Sequence, residues 1–592
     1  MSASTLISRR SALKLGAAAA ASLPWLPLAQ TAAQEQPDNP LGGPPPAASI
    51  AQIALSRMAF GPRPDQFDFA TFAARPGATD VDKLYDFIDW QLNPNPADDP
   101  GYLARRAAAG FATLDKPLAQ LWTDHVIGAT GTNGSNIRNQ PVRETRADTL
   151  LRMLYSQWQL AEVLAHFWHN HFSVYAWDSA IAPVFAHYDR DVIRYHMLGN
   201  FRALVEAVAK STAMLFYLDN ATSQGAQFNE NFARELCELH TLGAENYLGV
   251  VDDPLSIPRE PFTLPVTGAY WNSGTTPPTE IATGYCDNDV YEVARCLTGW
   301  RVNNGSGGVP NTGTFLYHTP WHDRANKLLL GKYFQADAGP QEDGLKALDL
   351  LAYHPGTAKF IARKLCRRLV TDDPPEPLVE AAAQVFLDNR AAPDQLKQVV
   401  RFILRSEEFR TVWGEKLRTP VEAAAASLRA TGADYQPNAS QEFSTTNPVW
   451  SRWDAIGQPM FGRRSPDGFP DVKTAWSGTT SLLYRWRFAN DLVEDRMRTT
   501  ISGATALFTR ADLPAQTPGG LTTPSAIVDF WIARVFGPGY SMPAATRAEL
   551  LKMMSGSYPN DPNDNALTTQ QISDRLKRMV ALLVMTPDFQ WH

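Results

Sequence analysis

The stretch LLRMLYSQWQLAEVLAHFWHNHF, residues 150–172, decides the fold class, because its apolar residues recur at helical spacing. Residues three and four apart share one face of an α-helix, so the spacing predicts a face packed on a core. We therefore expect a helix over residues 143–172. The apolar positions that carry this prediction are Leu150, Leu151, Leu154, Trp158, Leu160 and Val163.

Comparable periodicity predicts helices along most of the chain, and strand patterns are few. The other predicted helices span residues 201–218, 229–241, 288 or 289 to 299, 342–353, 355–370, 377–387, 394–404, 419–431, 481–498, 525–535 and 573–585. Long irregular segments are predicted at residues 128–141, 246–287, 302–340 and 435–478. The fold class is thus mainly α: a large multi-helix domain with long irregular loops and little sheet.

The N-terminus has the features of an export signal. Arg9 and Arg10 stand in a twin-arginine pattern, an apolar stretch follows, and small residues precede a cleavage region near Ala33. The apolar stretch is too short and too rich in alanine for a stable membrane span, although an uncleaved anchor is an alternative. We expect a periplasmic or secreted protein, with no stable membrane span in the mature chain.

The sequence divides into four predicted segments. Residues 1–33 form the signal, 34–49 a Pro/Gly-rich leader, 50–500 the main helical domain, and 501–592 a C-terminal helical extension packed on it. Removing the signal removes three basic residues and no acid, so the net charge changes from −7 to −10. This charge argues against nucleic acid as a partner. The 16 tryptophans suit either sugar stacking or helix packing.

Cysteine usage and known motifs exclude several classes of protein. Four cysteines in 592 residues are not a disulfide framework, although Cys286 and Cys296 could pair. The chain has no GxSxG, no P-loop, no GxGxxG after a strand and no CxxCH. Classical serine hydrolases, nucleotide-binding proteins and cytochromes therefore lack support.

Three histidines fall within six residues of the quoted stretch. If the helix continues, His166 and His169 share a face; if it ends by His169, then His169 and His171 share one. His169 belongs to either pair and ranks first. Two imidazoles on one face can bind a divalent metal when further ligands come from elsewhere. The alternative is that these rings pack beside Trp168 and Phe172 as part of the core.

A second polar cluster occupies the predicted helix at residues 229–241. Glu230, Arg234 and Glu238 form a ladder at four-residue spacing, which is typical of an internally paired face. Asn231 and Glu235 form a separate pair, so Glu235 is the carboxylate most available as an acid/base or a metal ligand. His240 lies on the same helix, three residues after Cys237. The alternative for Glu235 is a buried interhelical salt bridge.

Several short motifs together carry a family resemblance. They are LSRMAFGP (55–62), FWHNHF (167–172), LGNF (198–201), MLFYLDN (214–220), NENFARELCELHTLG (229–243), DVYEVARCLTGW (289–300), HD (322–323), LGK (330–332), HP (354–355), FIARKL (360–365), GQP (457–459) and SPDG (465–468). The chain resembles the bacterial domain-of-unknown-function 1800 family over residues 50–500. That resemblance implies an exported, mostly helical protein, often encoded beside an exported sulfatase-like family, domain of unknown function 1501. It implies no established activity.

These observations favour a metal-assisted or acid/base hydrolase or lyase that acts on a polysaccharide or similar polar polymer. The predicted catalytic residues are Glu235, His169, His171 and Asn231. The predicted metal ligands, for a divalent ion, are His169, His171, Glu235 and His240. The predicted substrate-binding residues are Trp168, Asn170, Arg234, His322, Asp323 and Trp300. The alternative is a non-catalytic binding or assembly subunit that works with the sulfatase-like partner.

Overall fold

The quoted stretch folds into two helices, Gly134–Tyr155 and Gln159–His171, where the periodicity predicts one. The break follows from a contact with an earlier segment: Asp99 accepts bonds from Ser156 Oγ at 2.6 Å and from the Gln157 backbone N–H at 3.1 Å. Ser156 is buried, so the break is held inside the protein. The computed structural model describes residues 47–592, apart from residues 65, 266–270, 272–277, 438–446, 502–503 and 508.

The described part of the chain is mainly α, as predicted. Its longer helices are Ile50–Arg57, Asp80–Gln91, Pro100–Ala109, Gly134–Tyr155, Gln159–His171, Phe201–Lys210, Asp287–Cys296, Glu342–Ala352, Pro355–Leu369, Glu376–Asp388, Gln395–Arg405, Pro420–Ala430, Pro448–Ala455, Thr479–Val493, Pro524–Phe536, Ala544–Ser555 and Thr569–Met585. Its shorter α-helices are Phe69–Ala73, Leu118–Trp122, Phe185–His187, Thr212–Tyr217, Asn231–Glu235, Glu407–Thr411, Leu513–Gln516 and Pro587–Gln590.

Among the residues that the structure describes, sheet is confined to short antiparallel pairs of strands. These pairs are Arg259–Pro261 with Glu280–Ala282, Trp300–Asn304 with Asn311–Tyr317, Lys327–Leu329 with Lys332–Phe334, Asp434–Tyr435 with Thr509–Arg510, and Arg498–Ile501 with Ala504–Leu507. A two-stranded ribbon is only marginally stable on its own, so these pairs depend on packing against the helices. The prediction of little sheet is therefore confirmed.

Several predicted elements differ in detail from the structure. Residues 134–141, predicted to be irregular, belong to the helix Gly134–Tyr155. The predicted helix at residues 201–218 is interrupted at Ser211, whose hydroxyl donates to Val208 O at 2.7 Å and accepts from Met214 N–H. The segment at residues 435–478, expected to be irregular, contains the helix Pro448–Ala455. Asn447 caps that helix and Pro448 occupies its first turn, a combination that favours a helix start.

In the part of the chain that the structure describes, three segments are π-helical: Thr123–Ile127, Tyr188–Arg194 and Leu236–His240. A π-turn widens the backbone spiral locally and is frequent near functional sites. The second and third segments carry Asp189 and His240, which contact the histidine motif described below.

The C-terminal segment packs on the rest of the protein. Residues 44–592 form one compact unit, and the helix Thr569–Met585 packs on Thr479–Val493. His592, the last residue, donates its backbone N–H to Lys416 O at 2.9 Å. This contact ties the end of the chain to a segment far away in the sequence.

The four cysteines are buried free thiols, so the pairing considered for Cys286 and Cys296 does not form. These residues lie at opposite ends of the helix Asp287–Cys296, roughly 15 Å apart at the rise of an α-helix, which is too far for a disulfide. Within the described residues, no helix combines the length and apolar character that crossing a membrane requires. The predicted export signal and nearly all of the predicted leader lie outside the described residues.

Candidate functional site

The helix Gln159–His171 ends within the histidine motif, residues 166–172, whose polar side chains point in two directions. His166, His169 and Asn170 line a cavity of about 30 Å³, whose other wall is the segment 458–469. His171 points instead towards His240. The cavity has room for about two water molecules, so it is not by itself a substrate pocket.

His169 is bound to a buried carboxylate. Its Nε2 lies 2.8 Å from Asp189 Oδ1, and Asp189 also accepts from Arg194 at 2.9 Å. Burial alone would raise the pKa of Asp189, but the Arg194 guanidinium and the His169 hydrogen bond hold that pKa below its ordinary value. The ionised carboxylate can only accept, so His169 Nε2 is the donor of this hydrogen bond.

The pair continues into a buried network of charges. Arg194 donates to both carboxylate oxygens of Glu162, at 2.8 and 2.9 Å. Arg152 lies 4.0 Å from Glu162 and donates to Asp148 at 2.9 Å. Each charge is matched by a neighbour of opposite sign, which is what burial of ions requires. The network therefore fixes the orientation of the His169 ring.

Asn170 positions the segment 458–469. Its Nδ2 donates to Phe469 O at 2.7 Å, and its Oδ1 accepts from Phe469 N–H at 2.7 Å. Gly468 lies so close that a Cβ there would stand 2.2 Å from Asn170 O. His169 adds an aromatic contact, with its ring centroid 4.9 Å from that of Phe461. Asn170 was predicted to bind substrate, whereas its observed contacts are with this segment.

His171 and His240 lie together in the interior. Lys364 Nζ donates to His171 Nδ1 at 2.8 Å, so His171 Nε2 donates to His240 O at 3.1 Å. The two rings are 6.1 Å apart, and neither residue is more than 2% exposed. Burial lowers the pKa of both imidazoles, that of His240 to about 3. Neither ring nitrogen of His240 has a partner among the described residues.

The candidate residues of the predicted helix at residues 229–241 have separate environments. Glu235 is half-buried and its charge helps to raise the pKa of Tyr217, after the larger effect of burial. Arg234 pairs with Glu230 at 3.1 Å and with Asp287 at 3.4 Å. Asn231 is exposed at the start of its helix.

The predicted metal set is therefore not assembled. Among the described residues, which include all four predicted ligands, no three His, Cys, Asp or Glu side chains are arranged to hold a metal. His169 faces Asp189, whereas His171 is engaged by Lys364 and a backbone carbonyl. Neighbours in the sequence thus point to different parts of the interior.

Of four other predicted binding residues, two are buried tryptophans, and His322 and Asp323 are half-buried. Trp168 and Trp300 are both 0% exposed, and Trp168 donates its indole N–H to Met197 O. His322 lies 3.2 Å from Asp343, and Asp323 accepts two bonds from Arg295. These contacts orient loops and core helices, and they leave no face of either tryptophan for a ligand.

A larger opening lies beyond the segment 458–469. We call this opening, of about 520 Å³, the Arg146 cleft. The helix Gly134–Tyr155, the turn after the histidine motif, the helix Pro448–Ala455 and the segment 459–464 all contribute to it. The lining residues are Arg143, Arg146, Tyr175, Trp177, Asn447, Trp450, Ser451, Asp454, Pro459, Gly462 and Arg464.

The cleft combines guanidinium groups with aromatic rings. Arg146 lies between two rings, 4.7 Å from the centroid of Trp177 and 4.2 Å from that of Trp450. Arg464 lies 4.4 Å from the Tyr175 centroid and donates to the Tyr175 hydroxyl at 3.1 Å. Cation–π contacts of this kind hold a guanidinium without neutralising it.

The histidine motif and the cleft share the segment 458–469. Ala176 N–H donates to Phe461 O at 3.1 Å, and the Tyr217 hydroxyl donates to Arg464 O at 2.8 Å. Together with the Asn170 bonds, these contacts fix the wall that carries Arg464. The histidine motif thus supports the cleft wall from the interior of the protein.

Asp454 is the acidic residue of the cleft lining. It lies one helical turn after Trp450, so both side chains face the same side of their helix. The residue is exposed to solvent, but the protein around its carboxyl raises the pKa by desolvation, and Arg146 opposes that rise. A carboxyl of this kind can hold and release a proton at the cleft.

The site residues predicted from the sequence do not include Arg146, Tyr175, Trp177, Asp454 or Arg464. One signal was available: Asn447 and Pro448 mark a helix start that would place Trp450 and Asp454 on one face. The grouping of four segments around the cleft has no signature in the linear sequence.

Comparison with known proteins identifies one family. The model described as "Protein of unknown function (DUF1800)" matches residues 53–591. The match includes the C-terminal segment that was predicted as an extension. No curated protein and no solved structure matches the chain.

Proposed function

The chain belongs to the DUF1800 family, which is described as of unknown function, and we propose that it binds and cleaves a polar polymer in the Arg146 cleft. The polymer would be a polysaccharide or a similar chain, and the enzyme a hydrolase or lyase of acid/base type. The protein would act outside the cytoplasm, after export through its twin-arginine segment.

One observation carries the proposal: a protonatable carboxyl, Asp454, stands in a cleft walled by flat side chains. Volumes near 500 Å³ are typical of ligand sites. The half-buried rings of Tyr175 and Trp177 have apolar faces that suit the apolar faces of sugar rings.

Asp454 has a defined chemical role in this proposal. When a polymer is cleaved by hydrolysis or by elimination, the departing oxygen takes up a proton. Asp454 is the carboxyl of the cleft lining that can supply it. Its raised pKa keeps more of it protonated at mildly acidic pH than an ordinary aspartate would be. Cleavage should therefore slow as pH rises through the pKa of Asp454.

The test is a cleavage assay with a panel of soluble polysaccharides. New reducing ends report either reaction, and ultraviolet absorbance of unsaturated ends reports a lyase alone. Asp454→Asn should lower the rate by about 100-fold, the usual effect of losing a general acid. Asp373→Asn changes an exposed aspartate outside the cleft and should leave the rate unchanged. No new ends with any polymer, or an Asp454→Asn rate equal to that of the unaltered protein, contradicts the proposal.

A second candidate function is binding without catalysis, as a subunit that assembles with an exported sulfatase-like protein. It is favoured by the engagement of His169 and His171 in buried hydrogen bonds. Retention of polymer without cleavage, together with co-purification of the sulfatase-like protein, would favour this candidate over the first.

The export part of the proposal has its own test. Replacing Arg9 and Arg10 together by lysine should leave the protein in the cytoplasm of its host. Cell fractionation measures the outcome, and export of the double variant at the ordinary level contradicts it.

A further inference from the structure

The lining of the Arg146 cleft has the opposite charge to the chain as a whole. Three arginines and one aspartate line it, whereas the full chain has a net charge of −7. Positive side chains concentrated in a concave site attract anionic ligands more strongly than scattered charges do.

Arg464 is the most accessible of these cations. It is solvent-exposed and makes no ion pair among the described residues. Its guanidinium is held by the Tyr175 ring and hydroxyl, and its backbone carbonyl is held by Tyr217. The side chain is thus positioned while its charge remains uncompensated. A positioned guanidinium loses less conformational entropy when it binds an anion.

Arg146 is held in a different way, between the rings of Trp177 and Trp450. Its Cζ lies over both rings, and the N–H donors of a guanidinium lie in the plane of that group. Planar donors of this kind match the oxygens of a carboxylate or a sulfate. Two arginines therefore enter the same cleft from two segments more than three hundred residues apart.

We infer that the ligand of the Arg146 cleft is an anionic sugar polymer, whose carboxylate or sulfate groups bind Arg464 and Arg146 while its sugar rings lie against Tyr175 and Trp177. The inference rests on the proposed function and names its substrate class. Single-stranded nucleic acid also combines negative charge with stacking faces, so the test below includes it as a separate outcome.

The test compares matched ligands by calorimetry. The probes are oligogalacturonate for carboxylate, a heparin oligosaccharide for sulfate, a neutral cello-oligosaccharide of equal length, and a single-stranded DNA oligomer. At least one anionic sugar should bind ten or more times as tightly as the neutral one, and the difference should shrink in 0.5 M salt, because salt screens exposed charges.

The variants assign the charge effect to Arg464. Arg464→Gln should weaken binding of the anionic sugar about tenfold and leave the neutral sugar unaffected. Arg487→Gln removes the same charge from an exposed residue outside the cleft and should change neither. Thermal unfolding of each variant checks that it is folded.

Different failures have different meanings. Equal affinity for charged and neutral sugars, or an Arg464→Gln variant that binds like the unaltered protein, overturns the anionic inference and leaves the proposed function standing. Tighter binding of DNA than of any sugar also overturns the inference. If no sugar binds and none is cleaved, both the inference and the proposed function fail.

Discussion

The side-chain amide of Asn170 bonds to both the N–H and the carbonyl of Phe469, each at 2.7 Å. The two residues are 299 positions apart in the sequence. These two hydrogen bonds join the C-terminal end of the helix Gln159–His171 to the wall of the Arg146 cleft. The motif that dominates the sequence therefore serves the cleft indirectly.

Asn170→Ala should loosen that wall. Losing two hydrogen bonds, each worth about 1 kcal/mol, should lower the free energy of unfolding by about 2 kcal/mol. Trypsin should then cut faster after Arg463 and Arg464, since the segment opens more often. Asn490→Ala removes one local bond of an exposed asparagine and is the control, with an expected change below about 0.5 kcal/mol. Equal tryptic rates for the two variants would contradict this role of Asn170.

Gly468→Ala should be more damaging than an ordinary glycine replacement. Its φ is +73°, and its new Cβ would stand 2.2 Å from Asn170 O, so the backbone must shift. Gly131→Ala is the matched control, because Gly131 has φ +70° with open space around it. Both variants share the cost of positive φ, about 1 kcal/mol. Urea unfolding should show Gly468→Ala to be less stable than the control, and equal losses would show that the contact is unimportant.

Asp189→Asn should destabilise the protein by about 3 kcal/mol, because it removes a buried charge bound by His169 and Arg194. Asp191→Asn, two residues away and 42% exposed, is the control and should cost less than about 1 kcal/mol. Chemical denaturation measures both. A loss below 1 kcal/mol for Asp189→Asn would mean that the network contributes little to stability.

His240→Phe should protect the protein against acid. The folded-state pKa of His240, about 3, lies below its ordinary 6.5, so the unfolded chain binds the proton first and stability falls as pH drops below 6.5. The variant lacks this loss. Its free energy of unfolding, relative to that of the unaltered protein, should therefore increase by about 3 kcal/mol between pH 6.5 and pH 4. Denaturation at both pH values measures the gain.

His171→Phe provides the contrast to His240→Phe. Both residues are buried, but His171 forms hydrogen bonds through both ring nitrogens. Its replacement leaves Lys364 Nζ without this acceptor and should lower the free energy of unfolding by about 2 kcal/mol at pH 7. If His240→Phe were also destabilised at pH 7, and bound metal were lost with it, His240 would be a ligand and not an unpaired core residue.

Lys364 should make stability rise at alkaline pH. Burial lowers the pKa of Lys364 from 10.5 to about 8. Between pH 8 and pH 10.5 the folded state has therefore lost this proton while the unfolded chain still binds it, so the free energy of unfolding increases with pH. Relative to Lys364→Met, the unaltered protein should gain at most about 3 kcal/mol over this window. Paired denaturation curves at pH 7.5 and pH 10 measure the gain, and a constant difference would contradict it.

The sequence by itself determined the helical class and most helix positions, because apolar spacing reports which face of a helix is buried. The predicted helix at residues 355–370 matches the observed Pro355–Leu369 almost residue for residue. Local chemistry at Asn447 and Pro448 also marks a helix start, although residues 435–478 were predicted to be irregular. These features depend on neighbours within one or two turns.

Only the tertiary structure decided where helices break and which polar groups meet. Asp99 breaks the helix at Ser156, Asp189 engages His169, and Lys364 engages His171. Periodicity cannot reveal these partners, since each comes from a distant segment brought near by packing. The Arg146 cleft depends in the same way on segments from residue 143 to residue 464. Local spacing fixes which way a side chain leaves its helix, but only packing fixes what it meets.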